Sequence, residues 1–346
     1  MQLNRNVQSQ YFSKDLIKAV YGIAIIMMML HHLYDDPSLI VYTIIPNNPF
    51  IEEKISFLGK MCVGIYSFLA GTGAARVNEV ELNRVVSLML SRIKNLYKKY
   101  WFIFILFVPI GYFIDVYQFN GIELLTNFCA LSSTYNGTWW FIYQYIMMLL
   151  FSPALLIVLD EATKDERSII KILFFALTVI VGWIIVLRIG IYIETVYFIL
   201  FILGMIFERN KLFDSAERKI LEIPKKFKGG KTPIVGILFV LFMRLLIAKY
   251  TQFWYQMDIF LVPMFVFLLK PIILLNRKIS SLLSFLGKHS TSIWLTHGFI
   301  CDYFSVRYLY SLKYSVLIMI AFLLVAIILG VIVDEIFHWF CRVVNS

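Results

Sequence analysis

Two adjacent histidines, His31 and His32, close an apolar run that begins after Lys18, and two carboxylates, Asp35 and Asp36, follow within one helical turn. Histidine is the side chain whose unperturbed pKa lies nearest neutrality, so a neutral imidazole can take a proton from a hydroxyl and return it within one reaction. On a helix Asp35 is four residues on from His31, and Asp36 four on from His32. Each carboxylate then shares its histidine's face, provided the helix runs that far. A carboxylate on one ring nitrogen fixes the tautomer and raises basicity, which leaves the other nitrogen free to act as general base. The alternative for either histidine is that it marks the water interface at a helix end.

Three further histidines complete the set. His289 and His297 flank Ser290-Thr-Ser-Ile-Trp294-Leu-Thr and share a helix face, and His338 follows Asp334 by four residues. For His297 a satisfied, buried imidazole competes with a place in the site. No serine-nucleophile motif, metal-ligand spacing or phosphate-cradling glycine loop is present, so no metal is expected and any chemistry is group transfer by base catalysis. Cys62, Cys129, Cys301 and Cys341 sit in apolar settings without CxxC spacing, which points to packing. Gly71-Thr-Gly73 reads as small residues allowing close helix packing.

The elements that carry these groups are membrane spans. The chain has 346 residues, of which 60% are hydrophobic, with a mean hydropathy of +0.78, well above a soluble domain. Apolar runs between charge clusters predict an all-α, polytopic bundle of about ten spans, near 16–34, 57–75, 100–117, 139–159, 169–187, 191–207, 233–249, 258–275, 289–305 and 314–336. A single integral-membrane domain is expected over 1–346, with a cytosolic tail at 1–15 read as leading into a retained first helix. Placing the N-terminus inside puts 24 of the 32 basic residues in the inner segments. The positive-inside rule therefore selects N-in and C-in. The formal charge of +10 is then topology and attraction to anionic lipid, with no nucleic-acid partner implied.

Two basic inner loops are expected, 76–99 and 208–232. The first interleaves Arg76, Arg84, Arg92, Lys94, Lys98 and Lys99 with apolar residues and abuts Tyr97-Lys-Lys-Tyr100-Trp101, so it can sit on lipid or hold a cytosolic polyanion. On the outer side, Asn136-Gly-Thr-Trp139-Trp140 matches a glycosylation acceptor pattern. Its paired tryptophans are either an aromatic belt or a stacking platform for a sugar ring.

Five stretches, in order, resemble the signature regions of the bacterial acyltransferase 3 family, whose members are polytopic membrane O-acyltransferases. They are Gly22-Ile-Ala-Ile-Ile-Met-Met-Met-Leu-His31-His32, Gly64-Ile-Tyr-Ser-Phe-Leu-Ala-Gly71, Arg92-Ile-Lys-Asn-Leu-Tyr97 leading into Tyr100-Trp101, Asn136-Gly-Thr-Trp-Trp-Phe141, and Phe285-Leu-Gly-Lys-His-Ser-Thr-Ser-Ile-Trp-Leu-Thr-His297. The resemblance runs from about residue 14 to 336. It implies a cytosolic acyl-CoA donor, a hydroxyl acceptor often presented outside, and a catalytic base near the end of the first span. That base falls on His32, with His31 and Asp36 beside it. The family's basic residue eleven positions earlier is Tyr21 here, with Lys18 one turn away to take its place, and the family's Arg-x-x-Arg reads Arg92-Ile-Lys94-Asn95. Arg92, Lys94 and Lys18 are therefore the expected donor-binding residues, and Asn136, Trp139, Trp140 and His297 the expected acceptor contacts.

The expected activity is transfer of an acyl group, most simply acetyl, from acyl-CoA to a hydroxyl of a cell-surface polysaccharide or its lipid-linked precursor. Acetyl-CoA serves as substrate, no cofactor is bound permanently, and the protein lies in the plasma membrane. A transporter or export component for a polysaccharide intermediate, with the histidines as a proton relay, is the competing class.

Overall fold

A computed structural model of the chain describes residues 11–77, 82–163, 193–222, 232–251 and 254–344. Those residues form thirteen α-helices: α1 (Lys14–Leu33), α2 (Phe50–Gly59), α3 (Cys62–Ala74), α4 (Leu82–Phe113), α5 (Gly121–Phe128), α6 (Trp140–Thr163), α7 (Ile193–Arg209), α8 (Leu212–Glu222), α9 (Thr232–Tyr250), α10 (Asp258–Leu275), α11 (Arg277–Gly298), α12 (Val306–Tyr310) and α13 (Ser315–Val344). The class is all-helical. Among the described residues seven helical stretches are long and apolar enough to cross a membrane: Lys14–Leu33, Phe50–Ala74, Asn83–Phe113, Gly137–Asp160, Thr232–Tyr250, Asp258–Leu275 and Ser315–Val343. They coincide with seven of the ten expected spans. Of the other three, 169–187 lies outside the described residues, 191–207 overlaps the 17-residue α7, and 289–305 overlaps the second half of α11 and the π-helical turn Phe299–Tyr303.

The basic segment expected as a loop at 76–99 is helical from Leu82 onward and continuous with the span that follows. No glycine or proline interrupts 82–108, so the helix nucleated in the apolar half propagates through the charged half. The result is a 32-residue rod, about 48 Å long at 1.5 Å per residue, with its cations at one end.

The first helix is fixed at both ends by its sequence. Ser13 caps the N-terminus by accepting from the Leu16 amide at 3.1 Å. At the other end Asp36-Pro37 disfavours helical backbone before the proline, and α1 stops at Leu33. Its most extensive partner is α11. Gly22 and Gly287 make that crossing possible: a Cβ at Gly22 would strike the Leu283 carbonyl, and one at Gly287 the Lys18 carbonyl. A second reciprocal pair, Gly71 against Phe201 and Gly204 against Phe68, brings α3 and α7 equally close. Small residues here replace side-chain contact by backbone approach, the usual route to tight packing in lipid.

Among the described residues Arg244 and Asp258 form an ion pair with both side chains buried. Arg244 on α9 meets both oxygens of Asp258 on α10 at 2.8 and 2.9 Å, donates to the Phe57 carbonyl and lies 4.4 Å from the Phe57 ring centroid. The bidentate geometry answers the desolvation of both charges and ties α2, α9 and α10 together.

Candidate active site

The α1–α11 crossing brings the second histidine of the pair to a junction between two cavities. The larger, of about 720 Å³, is lined along α1 by Tyr21, Met28 and His32, and at its cationic end by Arg92, Lys98 and Lys99 of α4 and His338 of α13. Tyr21 to His32 is eleven residues, about 16 Å of helix. The smaller, of about 260 Å³, is lined by His31, Lys60, Cys62 and Tyr197. His32, Val63 and Trp140 belong to both walls.

His32 is half-buried, and among the described residues neither of its ring nitrogens makes a hydrogen bond. Its neighbours are two imidazoles: His31, with ring centroids 4.9 Å apart, and His297, at 5.1 Å. His31 is committed elsewhere. Its Nδ1 lies 3.1 Å from the Ser56 carbonyl and 3.0 Å from Ser56 Oγ, and that hydroxyl donates back to the His31 carbonyl at 3.0 Å. These contacts staple α1 to α2.

The expected carboxylate partner of His32 does not reach it. Because α1 ends at Leu33, Asp36 turns away to cap the short 3-10 helix Pro37–Leu39, accepting from the Ser38 amide at 3.1 Å and from Ser38 Oγ at 2.5 Å. Asp35 stands 3.9 Å from His31 Nδ1 and is mostly exposed.

The donor-side residues are re-sorted in the same way. Arg92 lines the larger cavity and donates to the Gly73 carbonyl at 3.0 Å. Lys94 is exposed and outside the cavity lining, and Lys18 pairs with Asp15 at 3.3 Å on the surface. Lys98 and Lys99 line the cavity where Lys94 and Lys18 were expected. The Tyr21 ring stacks on Tyr66 at 5.2 Å, filling the place of the basic residue that the resemblance called for.

Of the expected acceptor contacts, Trp140 lines both cavities. Trp139 is core: it is 2% exposed, donates to the Leu295 carbonyl at 2.9 Å and packs edge-on to Tyr100. Asn136 is fully buried and caps the turn Gly137–Trp139 by accepting from the Thr138 amide and hydroxyl at 3.1 and 2.7 Å. His297 is fully buried behind His32 and belongs to neither cavity wall.

Sequence reasoning missed Asp334 as a centre of organisation. This carboxylate, 1% exposed, accepts from His289 at 2.7 Å and Ser292 at 2.8 Å, and pairs with Lys99. Helices α4, α11 and α13 meet on it. The signal was available: an acidic residue inside an apolar stretch as long as Ser315–Val343 is costly enough to need a partner.

A polytopic helical bundle with a histidine at the meeting point of a cationic cavity and a second pocket has the parts of a membrane group-transfer enzyme. The model of a family described as an acyltransferase domain, the acyltransferase 3 family, matches residues 17–335, and the chain belongs to that family. No curated protein and no solved structure matches the chain. Membership makes it a membrane acyltransferase.

Proposed function

We propose that this protein is an O-acyltransferase that moves an acyl group, acetyl in the simplest case, from cytosolic acyl-CoA to a hydroxyl of a cell-surface polysaccharide or its lipid-linked precursor. On this reading it works in the plasma membrane with both termini inside. The observation that carries the proposal is that His32, Val63 and Trp140 form the wall common to two cavities.

The donor's phosphates lie among Arg92, Lys98 and Lys99, and its arm runs along α1 past Tyr21 and Met28, a distance within reach of an extended pantetheine. The acceptor hydroxyl enters from the smaller cavity beside Trp140 and Tyr197. His32 takes the hydroxyl proton as the oxygen attacks the thioester carbonyl. The carbon–oxygen bond forms, the carbon–sulfur bond breaks, and the proton passes from His32 to the departing thiolate of CoA. Lys60 brings an ammonium to the wall of the smaller cavity, where charge on the tetrahedral oxygen needs a donor.

The test is purified protein in lipid nanodiscs, given acetyl-labelled CoA and a surface glycan fraction. Label should pass to the glycan with wild-type protein and not with His32→Ala. Full transfer by His32→Ala overturns the base assignment, and glycan movement without donor consumption replaces the reading with export.

A further inference from the structure

The base at the junction lacks the carboxylate partner that general-base histidines use, and the bundle supplies another group in its place. His297 Nδ1 lies 2.7 Å from the Trp294 carbonyl and 3.2 Å from the Ile293 carbonyl. Carbonyl oxygens only accept, so Nδ1 carries the proton and the lone pair of the neutral ring is on Nε2. That Nε2 is buried and has no hydrogen-bond partner. An unmet buried acceptor costs about 1–3 kcal/mol, which makes it a feature to be explained.

The ring of His32, 5.1 Å away between centroids, carries a nitrogen able to answer it. The other ionisable groups around the pair are engaged elsewhere: His31 Nδ1 is held by Ser56, Asp36 caps its own turn, and Asp35 is exposed beside His31.

We propose that His297 is the positioning residue for His32: its Nε2 lone pair receives an N–H of His32, so that the opposite nitrogen of His32 presents its lone pair to the cavity junction. The inference rests on the acyl-transfer reading. In it His297 never touches substrate. When His32 takes the hydroxyl proton both of its nitrogens carry hydrogen, and the one facing His297 remains bonded to a neutral acceptor. A carboxylate would hold the imidazolium more tightly and slow the return of its proton to the thiolate. A neutral imidazole fixes the tautomer without trapping the charge.

The experiment compares His297→Gln, whose amide oxygen can stand near the position of Nε2, with His297→Leu, which has no acceptor. Acetyl transfer to glycan, the KM for acetyl-CoA and thermal unfolding in detergent are measured for both. The expected result is a fall in kcat of at least 100-fold for His297→Leu at unchanged KM, with His297→Gln recovering 10-fold or more of that loss. Equal loss in the two variants, or a wild-type rate in His297→Leu, overturns the positioning role. A loss that tracks the unfolding midpoint assigns His297 to packing and overturns it too. If wild-type protein transfers acetyl and His32→Ala does not, such failures belong to this inference alone; no transfer by wild-type protein removes the acyl-transfer reading and this inference with it.

Discussion

Lys99 on α4 and Asp334 on α13 pair inside the bundle, with side chains 14% and 1% exposed, at the cationic end of the larger cavity. The pair is enclosed by contacts to His289 and Ser292 on α11. The Lys99 ammonium therefore meets its carboxylate out of water, and the pair ties α4 to α13.

Removing one partner leaves the other charge buried without compensation, which typically costs about 3–5 kcal/mol. Asp334→Ala should lower the unfolding midpoint of detergent-solubilised protein, followed by tryptophan fluorescence. The double substitution Lys99→Met with Asp334→Leu should recover part of the loss, because a well-packed apolar pair of similar volume escapes the desolvation cost. An Asp334→Ala protein as stable as wild type would show that the cluster is not holding the three helices together.

The two readings of the donor-binding cations give opposite outcomes. Lys98 lines the cavity, while Lys94 is exposed outside it and Lys18 is held on the surface by Asp15. A hydrogen bond between charged groups contributes about 1.5–3 kcal/mol, equivalent to roughly tenfold or more in affinity. Lys98→Gln should raise the KM for acetyl-CoA by about that factor, whereas Lys94→Gln and Lys18→Gln should stay within about twofold. Steady-state kinetics at saturating acceptor decide it, and the reverse ranking would restore the cations that the motif spacing selects.

Legibility in the sequence divides along local and tertiary lines. Apolar runs mark the seven helices long and apolar enough to cross a membrane because lipid demands long uninterrupted stretches, whereas in the first half of α4 charge density masks a helix that nothing breaks. Local chemistry also decided against Asp36: the proline after it ends α1, and Asp36-Pro37 could be read from the chain. The approach of the His32 ring to His297 was not readable, since it depends on where α1 crosses α11. Lys99 and Asp334 are 235 residues apart, and no spacing rule connects them.

That crossing sets the last expectation. A Cβ at Gly287 would meet the Lys18 carbonyl and the backbone atoms beside it, and main chain inside a helix cannot swing aside as a flexible side chain does. The two helices must part, and α1 carries His32 while α11 carries His297, so the ring pair is pulled open. Overpacking of this kind costs about 1–3 kcal/mol in stability. The effect on transfer should be larger, because misplacement of about 1 Å in a catalytic constellation can cost on the order of 100-fold. Gly121 is the control, since a Cβ there meets nothing within 4 Å. Gly287→Ala should lose most acetyl transfer while unfolding only slightly earlier than wild type, and Gly121→Ala should lose none. If Gly287→Ala transfers acetyl at the wild-type rate, the crossing is not what sets the histidine pair.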